Sequence, residues 1–402
     1  MNVCKVWDAE YPWDVRAEKV SLSLTEAGHD VHLVARNRDV RSLRESLTEG
    51  TVHRMAPLPL GGRRLNAASM FPAFFNPRWI RLIRSVARET SADVIVCRDI
   101  PLAPTCVMIG RRLSIPVVLD MAENYPAMMK AIWDHGRHRL TDWLVRNPAV
   151  VRWVERWVIH KVDHIVVVVE ESGDRLVSLG VPESRITVVP NTPLDRRIPA
   201  ELNGAPPTPP LELVYIGLLE APRGIQVVLN ALALCRQANL PVHFSVVGDG
   251  RDQSLLEEQA RSLGLTERDV RFHGRLPYDE ALEVVKGAHV GIVPHLANPS
   301  WNSTIPNKLF DYMSLGLPVI TSDAKPAARI VETTGCGRVY QSEDPEGLFQ
   351  AIRALSDESR RERLGQEGRD AVLQRFRWRH DGARFVEAVE KVVAGHKTVT
   401  AK

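Results

Sequence analysis

The sequence of 402 residues predicts two doubly wound α/β domains, each Rossmann-like, that face each other across a cleft. Short apolar strands alternate with helix-length amphipathic stretches along the whole chain. A proline-rich segment, IPAELNGAPPTPP, interrupts this alternation at residues 198–210. Because proline lacks a backbone donor and resists helix formation, this segment is predicted to be a linker. The predicted domains are therefore 1–197 and 211–375, and residues 376–402 are expected to form a helix that returns to the first domain.

The candidate strands of the first domain contain consecutive β-branched residues, as is typical of parallel strands covered on both faces. These strands are Val3–Trp7, Val31–Ala35, Thr51–Met55, Val94–Cys97, Val117–Leu119, Ile165–Val169 and Ile186–Val189. Helices are expected between them at Asp14–Ala27, Pro77–Glu89 and Val150–Lys161. Gly28 follows the first helix, at a position that favours a residue tolerating positive φ.

A second series of candidate strands begins after the predicted linker. These strands are Leu213–Ile216, His243–Val247, Val270–His273, Val290–Val293, Val319–Thr321 and Val339–Tyr340. Ligands of doubly wound sheets bind beyond the carboxyl ends of the strands. The functional side chains are therefore expected at those ends.

Composition and charge narrow the class of protein. Hydrophobic residues make up 44% of the chain and charged residues 25%, which is typical of globular domains. The net charge is +3, but no basic run, zinc finger or RNA-binding signature accompanies it, so no nucleic-acid partner is expected. The five cysteines are scattered, and the N-terminal sequence MNVCKVWDAEYPW lacks the apolar stretch of a signal peptide. A cytoplasmic protein without disulfides or a metal site is expected.

The first candidate ligand contacts follow the first strand of the second domain. Gly217 closes the sequence YIG, where a glycine lets the backbone approach a ligand closely. Arg223 stands near the start of the next helix, where a fixed positive charge suits the binding of a diphosphate. The alternative, a solvated surface arginine, is less favoured. Asp249 and Gly250, in the sequence VVGDG, are equally consistent with a purely structural turn.

The most informative stretch is GIVPHLANPSWNSTIPNKLFDYMSLGLPVI at residues 291–320. Pro306 is predicted in the first turn of a helix, with Ser303 and Thr304 as candidate N-caps. Amides at a helix start bind phosphate, and Lys308 adds a positive charge. Asp311 lies about one turn later, where a carboxylate suits the two hydroxyls of a ribose. A surface ion pair between Lys308 and Asp311 is the simpler alternative.

This segment resembles the second-domain signature of retaining glycosyltransferase family 4, in particular a bacterial subgroup with a P-x-K-L-F-E/D-Y-M motif. Further similar stretches follow in family order. They are GHDVHLVAR, ADVIVCRDIPLAPTCVMIGRRLSIPVVLDMAENYP, GDRLVSLGVPESRITVVPNTP, YIGLLEAPRGIQVVLNAL, VVGDG and VRFHGRLPYDE. The resemblance implies the GT-B fold, a nucleoside diphosphate sugar as donor substrate with no separate cofactor, and transfer with retention of anomeric configuration.

The resemblance also implies particular roles. Asp311 takes the place of the glutamate that holds the nucleotide ribose, and Arg223 that of the basic residue that neutralises the diphosphate. Arg275–Leu276 stands where the backbone meets the nucleobase. Thr304 and the amides after it, including Asn307, would face the distal phosphate and the sugar.

Three positions depart from the family pattern. Ser303 stands in place of the first glutamate of the paired motif, Leu218 in place of an arginine, and Ala122 in place of a first-domain histidine. Either His295 or Lys308 would supply part of this polarity, although His295 is equally consistent with packing at a strand end. These departures leave two alternatives to transfer: an epimerase-like GT-B protein and a catalytically silent scaffold in glycan assembly.

The first domain is expected to receive the acceptor, a glycan or a lipid-linked molecule. Glu123 is the candidate that orients it, and Asp8 and Asp14–Arg16 are similarly placed unless they only cap helices or form local pairs. Phe71–Arg88 and Met128–Lys161 mix aromatic and basic residues, including Trp133, Trp143, Trp153 and Trp157. This mixture is typical of an anionic membrane surface, although the valines of the second segment also match an ordinary core stripe. A peripheral location at the inner face of the plasma membrane is therefore expected.

Overall fold

The fold was analysed in a computed structural model that describes residues 1–12, 14–58, 62–134, 147–202 and 208–400. Backbone contacts divide the chain into two units: residues 1–190 with 378–402, and residues 191–377. Each unit is a parallel sheet covered by helices, which confirms the predicted fold class. Trp143, one of the tryptophans singled out above, lies outside the described residues.

The first unit is built on eight strands in the order β3-β4-β2-β1-β5-β6-β7-β8. The strands are β1 Asn2–Val6, β2 Asp30–Ala35, β3 Arg44–Leu47, β4 Gly50–Arg54, β5 Val94–Arg98, β6 Val117–Met121, β7 His164–Val167 and β8 Ile186–Val188. All neighbours pair in parallel except β3 and β4. Strand β3 was not predicted, because its sequence RESL is polar and alternates between exposed and half-buried positions.

Seven helices of the first unit precede its last strand within the described residues. They are α1 Val15–Glu26, α2 Arg63–Ser69, α3 Pro77–Glu89, α4 Ala103–Leu113, α5 Tyr125–Asp134, α6 Pro148–Ile159 and α7 Glu170–Ser178. Gly28 follows α1 with a φ of 81°, as its sequence position predicts. Val151, Val154 and Val158 of α6 are buried, so the core-stripe interpretation of this helix is confirmed.

The second unit contains six parallel strands in the order β11-β10-β9-β12-β13-β14. They are β9 Leu211–Ile216, β10 Val242–Val247, β11 Val270–Gly274, β12 Val290–Val293, β13 Val319–Ser322 and β14 Gly337–Tyr340. Counted from β9, this is the strand order of a Rossmann fold. The strand order reverses between β9 and β12, and this switch point is where such sheets bind ligands.

Helices cover both faces of the second sheet. They are α8 Ile225–Gln237, α9 Gln253–Ser262, α10 Tyr278–Lys286, α11 Asn307–Ser314, α12 Lys325–Thr334, α13 Pro345–Ala354 and α14 Glu358–Gln374. Among the described residues, no helix has both the length and the apolar character needed to cross a bilayer.

The break between the units differs from the predicted linker at 198–210. The chain belongs to the second unit from Asn191 onward. The guanidinium of Arg369 donates hydrogen bonds to the carbonyls of Pro199 and Ala200, at 2.7 and 3.0 Å. Pro199 and Ala200, in the described part of the proline-rich segment, are therefore hydrogen-bonded within the second unit.

The last helix, α15 Trp378–Thr400, belongs to the first unit. Its first residue, Trp378, is 3% exposed and packs on α1. The indole Nε1–H donates to the hydroxyl of Ser23 at 2.9 Å, and the Lys19 ammonium lies 4.3 Å from the ring centroid. A buried aromatic ring with a satisfied polar atom thus fastens this helix to the first unit.

Trp378→Ala is expected to destabilise the first unit by about 3 to 5 kcal/mol, because it removes a fully buried aromatic side chain. The matched control is Trp153→Ala, since Trp153 is 68% exposed, and its expected cost is below about 1 kcal/mol. Urea unfolding followed by circular dichroism measures both values. Equal losses for the two variants would contradict this role of Trp378.

Candidate active site at the switch point of the second sheet

The candidate site lies where β9 and β12 end. Gly217 follows β9 with a φ of 139°, a conformation that favours glycine. A Cβ atom at Gly217 would lie 2.8 Å from the Nζ atom of Lys308. The missing side chain therefore leaves room for the lysine head against the end of β9.

The ammonium of Lys308 is buried. Lys308 is 8% exposed, and its Nζ lies 3.6 Å from the centroid of the Tyr215 ring. Among the described residues Nζ has no hydrogen-bond partner. Burial, and then the charge of Arg223, hold the pKa of this lysine well below its usual range, while Asp311 opposes them. An anion bound beside this buried amino group would favour its protonated form and would interact strongly with the resulting charge.

Arg223, His295 and Trp301 form a stacked cluster beside this lysine. The Arg223 guanidinium lies 4.5 Å from the Trp301 ring, and the His295 ring lies 4.0 Å from it. The Nη1 of Arg223 is 3.2 Å from Nε2 of His295. The contacts orient the guanidinium through a hydrogen bond and a cation–π interaction.

His295 is neutral in this cluster. It is 1% exposed, and burial, with Lys308 and Arg223, lowers its pKa well below the usual range. Because Arg223 only donates, Nε2 accepts and the ring hydrogen resides on Nδ1. Nδ1 has no partner among the described residues. His295 therefore offers one buried donor beside Lys308 and Arg223.

Gly224 places Arg223 at the switch point. Its φ is 76°, and a Cβ atom there would lie 1.7 Å from the carbonyl oxygen of Pro294. The amide of Leu296 donates to the carbonyl of Pro222 at 3.0 Å. The turn after β9 is thus held against the chain that leaves β12, because only glycine permits this approach.

The glycines of VVGDG serve backbone packing. Cβ atoms at Gly248 and Gly250 would lie 1.9 and 2.2 Å from the carbonyl oxygens of Gly217 and Leu219. The Asp249 carbonyl accepts a hydrogen bond from Leu219 at 2.9 Å, while its residue as a whole is exposed. Close backbone packing therefore explains why both positions are glycine.

Two other predicted contacts also lie at this edge of the sheet. Arg275 is exposed and Leu276 is half-buried, and both directly follow β11, which pairs with β10. Asp311 is exposed on α11 and acts electrostatically on Lys308.

The start of α11 differs from its prediction. Pro306 is the N-cap residue and makes no side-chain cap, so it does not lie in the first turn. Ser303 closes a 3-10 turn, Trp301–Ser303, and its hydroxyl donates to the carbonyl of Pro299 at 2.6 Å. Thr304 follows in extended conformation. The cap prediction was wrong because the hydroxyl is used within the preceding turn; Asn307 is the first helical residue.

The first-unit candidates follow its strand ends. Glu123 follows β6 of the first unit and is half-buried. The cluster of Lys308, Arg223 and His295 belongs to the second unit. Asp14 caps α1 by accepting from the amide of Ala17 at 2.6 Å. Arg16 pairs with the buried Asp120 at 2.7 Å, and Asp8 pairs with Arg36 at 2.7 Å. Capping and local pairing therefore account for Asp8, Asp14 and Arg16.

Sequence reasoning missed Tyr215 and Trp301. In the sequence, Tyr215 is not distinguished from the other apolar residues of a buried strand. Trp301 lies in a loop and belongs to no periodic pattern. Their contacts with Lys308 and Arg223 depend on the packing of separate elements. The available signal was a tryptophan five residues before Pro306, at the start of the predicted phosphate-binding helix.

A buried cluster of basic side chains lies at the switch point of a Rossmann-type sheet, in a chain with a second such sheet, and this is the place where doubly wound α/β proteins bind their ligands. Residues 14–192 match the family model "Glycosyl transferase 4-like domain", and residues 210–358 match "Glycosyl transferases group 1". The two matches together span most of the chain, which belongs to the GT4-like glycosyltransferases of GT-B fold.

Known proteins similar to this chain are also glycosyltransferases. A glycogen synthase of Mycobacterium tuberculosis is 24% identical over 381 residues, covering 89% of this chain and 86% of its own. A putative colanic acid biosynthesis glycosyltransferase of Escherichia coli, WcaL, is 23% identical over 45% of each chain. This chain is therefore related both to glycogen synthase and to polysaccharide biosynthesis enzymes.

Solved structures share the fold across nearly the whole chain. Sucrose-phosphate synthase from Thermosynechococcus elongatus has a TM-score of 0.77 at 16% identity, covering 98% of this chain and 99% of that one. Anabaena HepE, solved in complex with UDP and glucose, has a TM-score of 0.70 at 14% identity, with 97% and 100% covered.

Binding of a nucleoside diphosphate is expected to take up a proton at Lys308. The pKa of the free lysine is lowered, and a bound diphosphate raises it again, so affinity falls as the pH rises above the lowered value. UDP, ADP and GDP serve as probes at about pH 8, well above the second phosphate pKa of about 6. Calorimetry in buffers of different ionisation enthalpy measures the uptake.

Lys308→Met is the comparison variant, and it should bind the same nucleotide without proton uptake. Equal uptake by the variant and the wild-type protein would place the titrating group elsewhere.

Proposed function

We propose that this glycosyltransferase moves a hexosyl or N-acetylhexosaminyl group from a nucleoside diphosphate sugar to a hydroxyl of a glycan or lipid-linked acceptor. The setting is bacterial cell-surface glycan or glycolipid assembly, and the anomeric configuration is retained. The observation that carries this proposal is the buried amino group of Lys308, which lacks a hydrogen-bond partner among the described residues and lies beside Arg223 and a neutral His295.

The diphosphate binds in this cluster. Lys308 and Arg223 supply two positive charges, and Nδ1–H of His295 supplies a donor. The amides around Asn307 at the start of α11 add the positive end of a helix, and Thr304 precedes them. Buried charges cost free energy unless they are compensated, so a diphosphate stabilises this arrangement.

The remaining parts of the donor follow from the neighbouring elements. Asp311 lies one turn beyond Lys308 and is exposed, so its carboxylate accepts hydrogen bonds from the ribose hydroxyls. The nucleobase lies against the backbone of Arg275–Leu276. Gly217 leaves the approach to the diphosphate open.

Stabilisation of the departing diphosphate is the main catalytic task. Negative charge grows on it as the glycosidic bond breaks, and fixed cations in a buried site stabilise that charge strongly. Arg223 and Lys308 perform this role. The acceptor hydroxyl attacks from the side of the leaving group, and a phosphate oxygen takes its proton. Glu123 of the first unit orients the acceptor.

A catalytically silent scaffold remains the second candidate, favoured by three side chains. Ser303 donates its hydroxyl to Pro299, Leu218 is 49% exposed, and Ala122 is buried. None of them offers the polarity of the family's usual glutamate, arginine and histidine. Release of sugar or nucleotide from any nucleotide sugar excludes the scaffold, so a thermal-stabilisation screen of donors, followed by turnover, decides between the two.

Asp311→Ala is expected to weaken donor binding by about tenfold or more, because it removes a charged acceptor of the ribose. Arg223→Ala is expected to lower kcat by about 10²-fold with a smaller change in KM. Calorimetry and steady-state kinetics with the donor selected by the screen measure these effects. Glu367→Ala and Arg363→Ala, exposed on α14 of the same unit, are the matched controls. Two site variants indistinguishable from their controls would refute the assignment.

We also propose a cytoplasmic enzyme that binds the anionic inner face of the plasma membrane through its first unit. Helix α4 packs against both α3 and α6. Exposed arginines on these two outer helices include Arg81, Arg84, Arg152 and Arg156. Trp153, between the last two, is 68% exposed. Basic and aromatic side chains together bind an anionic interface.

The protein is expected to sediment with vesicles that contain phosphatidylglycerol and to be released by salt. Raising the ionic strength from about 0.1 to about 1 M shortens the Debye length from about 10 to about 3 Å. Trp153→Ala should weaken the binding, and Leu255→Ala, which changes an equally exposed apolar residue of the second unit, should not. Binding that ignores both salt and lipid charge would contradict the proposal.

A further inference from the structure

A second ligand cavity lies in the first unit, at the switch point of its own sheet. The strand order of this sheet reverses between β1 and β5, and the cavity is lined by Asp8 after β1 and by Ile100 after β5. Arg36, which follows β2, and Tyr125, which opens α5, also line it. The cavity thus occupies the position where a doubly wound sheet binds a small molecule.

The walls of this cavity are apolar. Phe71, Phe74, Met129, Val151 and Val154 line it, and its volume is about 150 Å³. Among the lining residues that the structure describes, the charged groups are those of Asp8 and Arg36, which pair at 2.7 Å. An apolar cavity of about this size holds a group such as benzene, or roughly six carbon atoms of a chain.

The apolar lining continues to the surface. Phe74 lines the cavity, and the ring of Phe75 meets it edge to face at 6.5 Å while 50% exposed. Phe75 has a φ of 55°, a strained conformation for a bulky residue. Its amide donates to Thr105 at 2.9 Å, which holds the turn. Ile132 and Trp153 are also exposed, and they lie on α5 and α6, the helices that contribute Met129, Val151 and Val154 to the cavity lining.

We propose that this cavity binds the hydrocarbon chain of an amphiphilic acceptor, with the polar head beside Asp8 and Arg36. A chain longer than the cavity continues past Phe75 along the exposed apolar side chains. This inference rests on the proposed transfer function and specifies its acceptor as a lipid. A glycan without an apolar group leaves the cavity walls in contact with water, which the hydrophobic effect disfavours.

Alkyl β-glucosides provide the test, because they differ only in chain length. Methyl, butyl, hexyl and octyl glucoside are titrated into the full-length protein below their micelle concentrations, and binding is measured by calorimetry or ligand-observed NMR. Affinity is expected to rise about fourfold per methylene up to roughly six carbons and then level off. Hexyl glucoside that binds no more tightly than methyl glucoside overturns the proposal.

Variants locate the binding. Met129→Trp and Val150→Trp fill the cavity from two helices, at side chains that are only partly buried. Each is expected to abolish the gain with chain length, while nucleoside diphosphate affinity and the melting temperature stay at wild-type values. Leu255→Trp adds the same side chain to an exposed site of the second unit and should retain the full gain. Persistence of the gain in both filled variants overturns the proposal.

Donor binding and turnover are measured on the same samples, so the two proposals fail separately. Donor turnover without chain-length dependence overturns the lipid site alone. Chain-length dependence without binding of any nucleotide sugar overturns the proposed function and supports the lipid site.

Discussion

The burial of the Lys308 amino group is the constraint on which the candidate site of the second unit depends. It depends on three features: a glycine at position 217, the ring face of Tyr215 next to Nζ, and helix α11, which carries Lys308 in its first turn. Moving a charge from water into a low-dielectric site is expensive, and a single aromatic face offsets only part of that cost. An anion bound at this site would therefore favour the protonated lysine, whose fixed charge then stabilises negative charge that develops beside it.

The same sheet geometry explains why the neighbouring turns are rich in glycine. Gly224 lets the turn after β9 touch the chain leaving β12, and Gly248 lets the turn after β10 touch Gly217. These contacts hold Arg223 against Trp301 and His295. The described contacts of its guanidinium include no carboxylate. Stacking thus orients the guanidinium while leaving its charge available, whereas a salt bridge would neutralise it.

Much of this architecture was predictable from local pattern. Runs of β-branched residues placed the parallel strands within one or two residues, and the sequence PNKLFDYM indicated the helix that carries Lys308 and Asp311. Strand β3 was not predictable, because an edge hairpin needs no apolar face. The N-cap at Ser303 was predicted wrongly, since a hydroxyl bonds to whichever carbonyl is nearest, here Pro299. Trp301 and Tyr215 contact Arg223 and Lys308, which are distant from them in sequence. Local periodicity does not predict such contacts.

The anchoring of α15 by Trp378 has a consequence for the order in which the chain assembles. The second unit is continuous in sequence, from 191 to 377, whereas the first receives its last helix from the end of the chain. During synthesis, residues 1–190 emerge first but lack the surface that covers α1 until residues 378–400 have left the ribosome. The second unit is therefore expected to complete its core before the first unit does. This order is the reverse of the usual one, in which the N-terminal domain folds first.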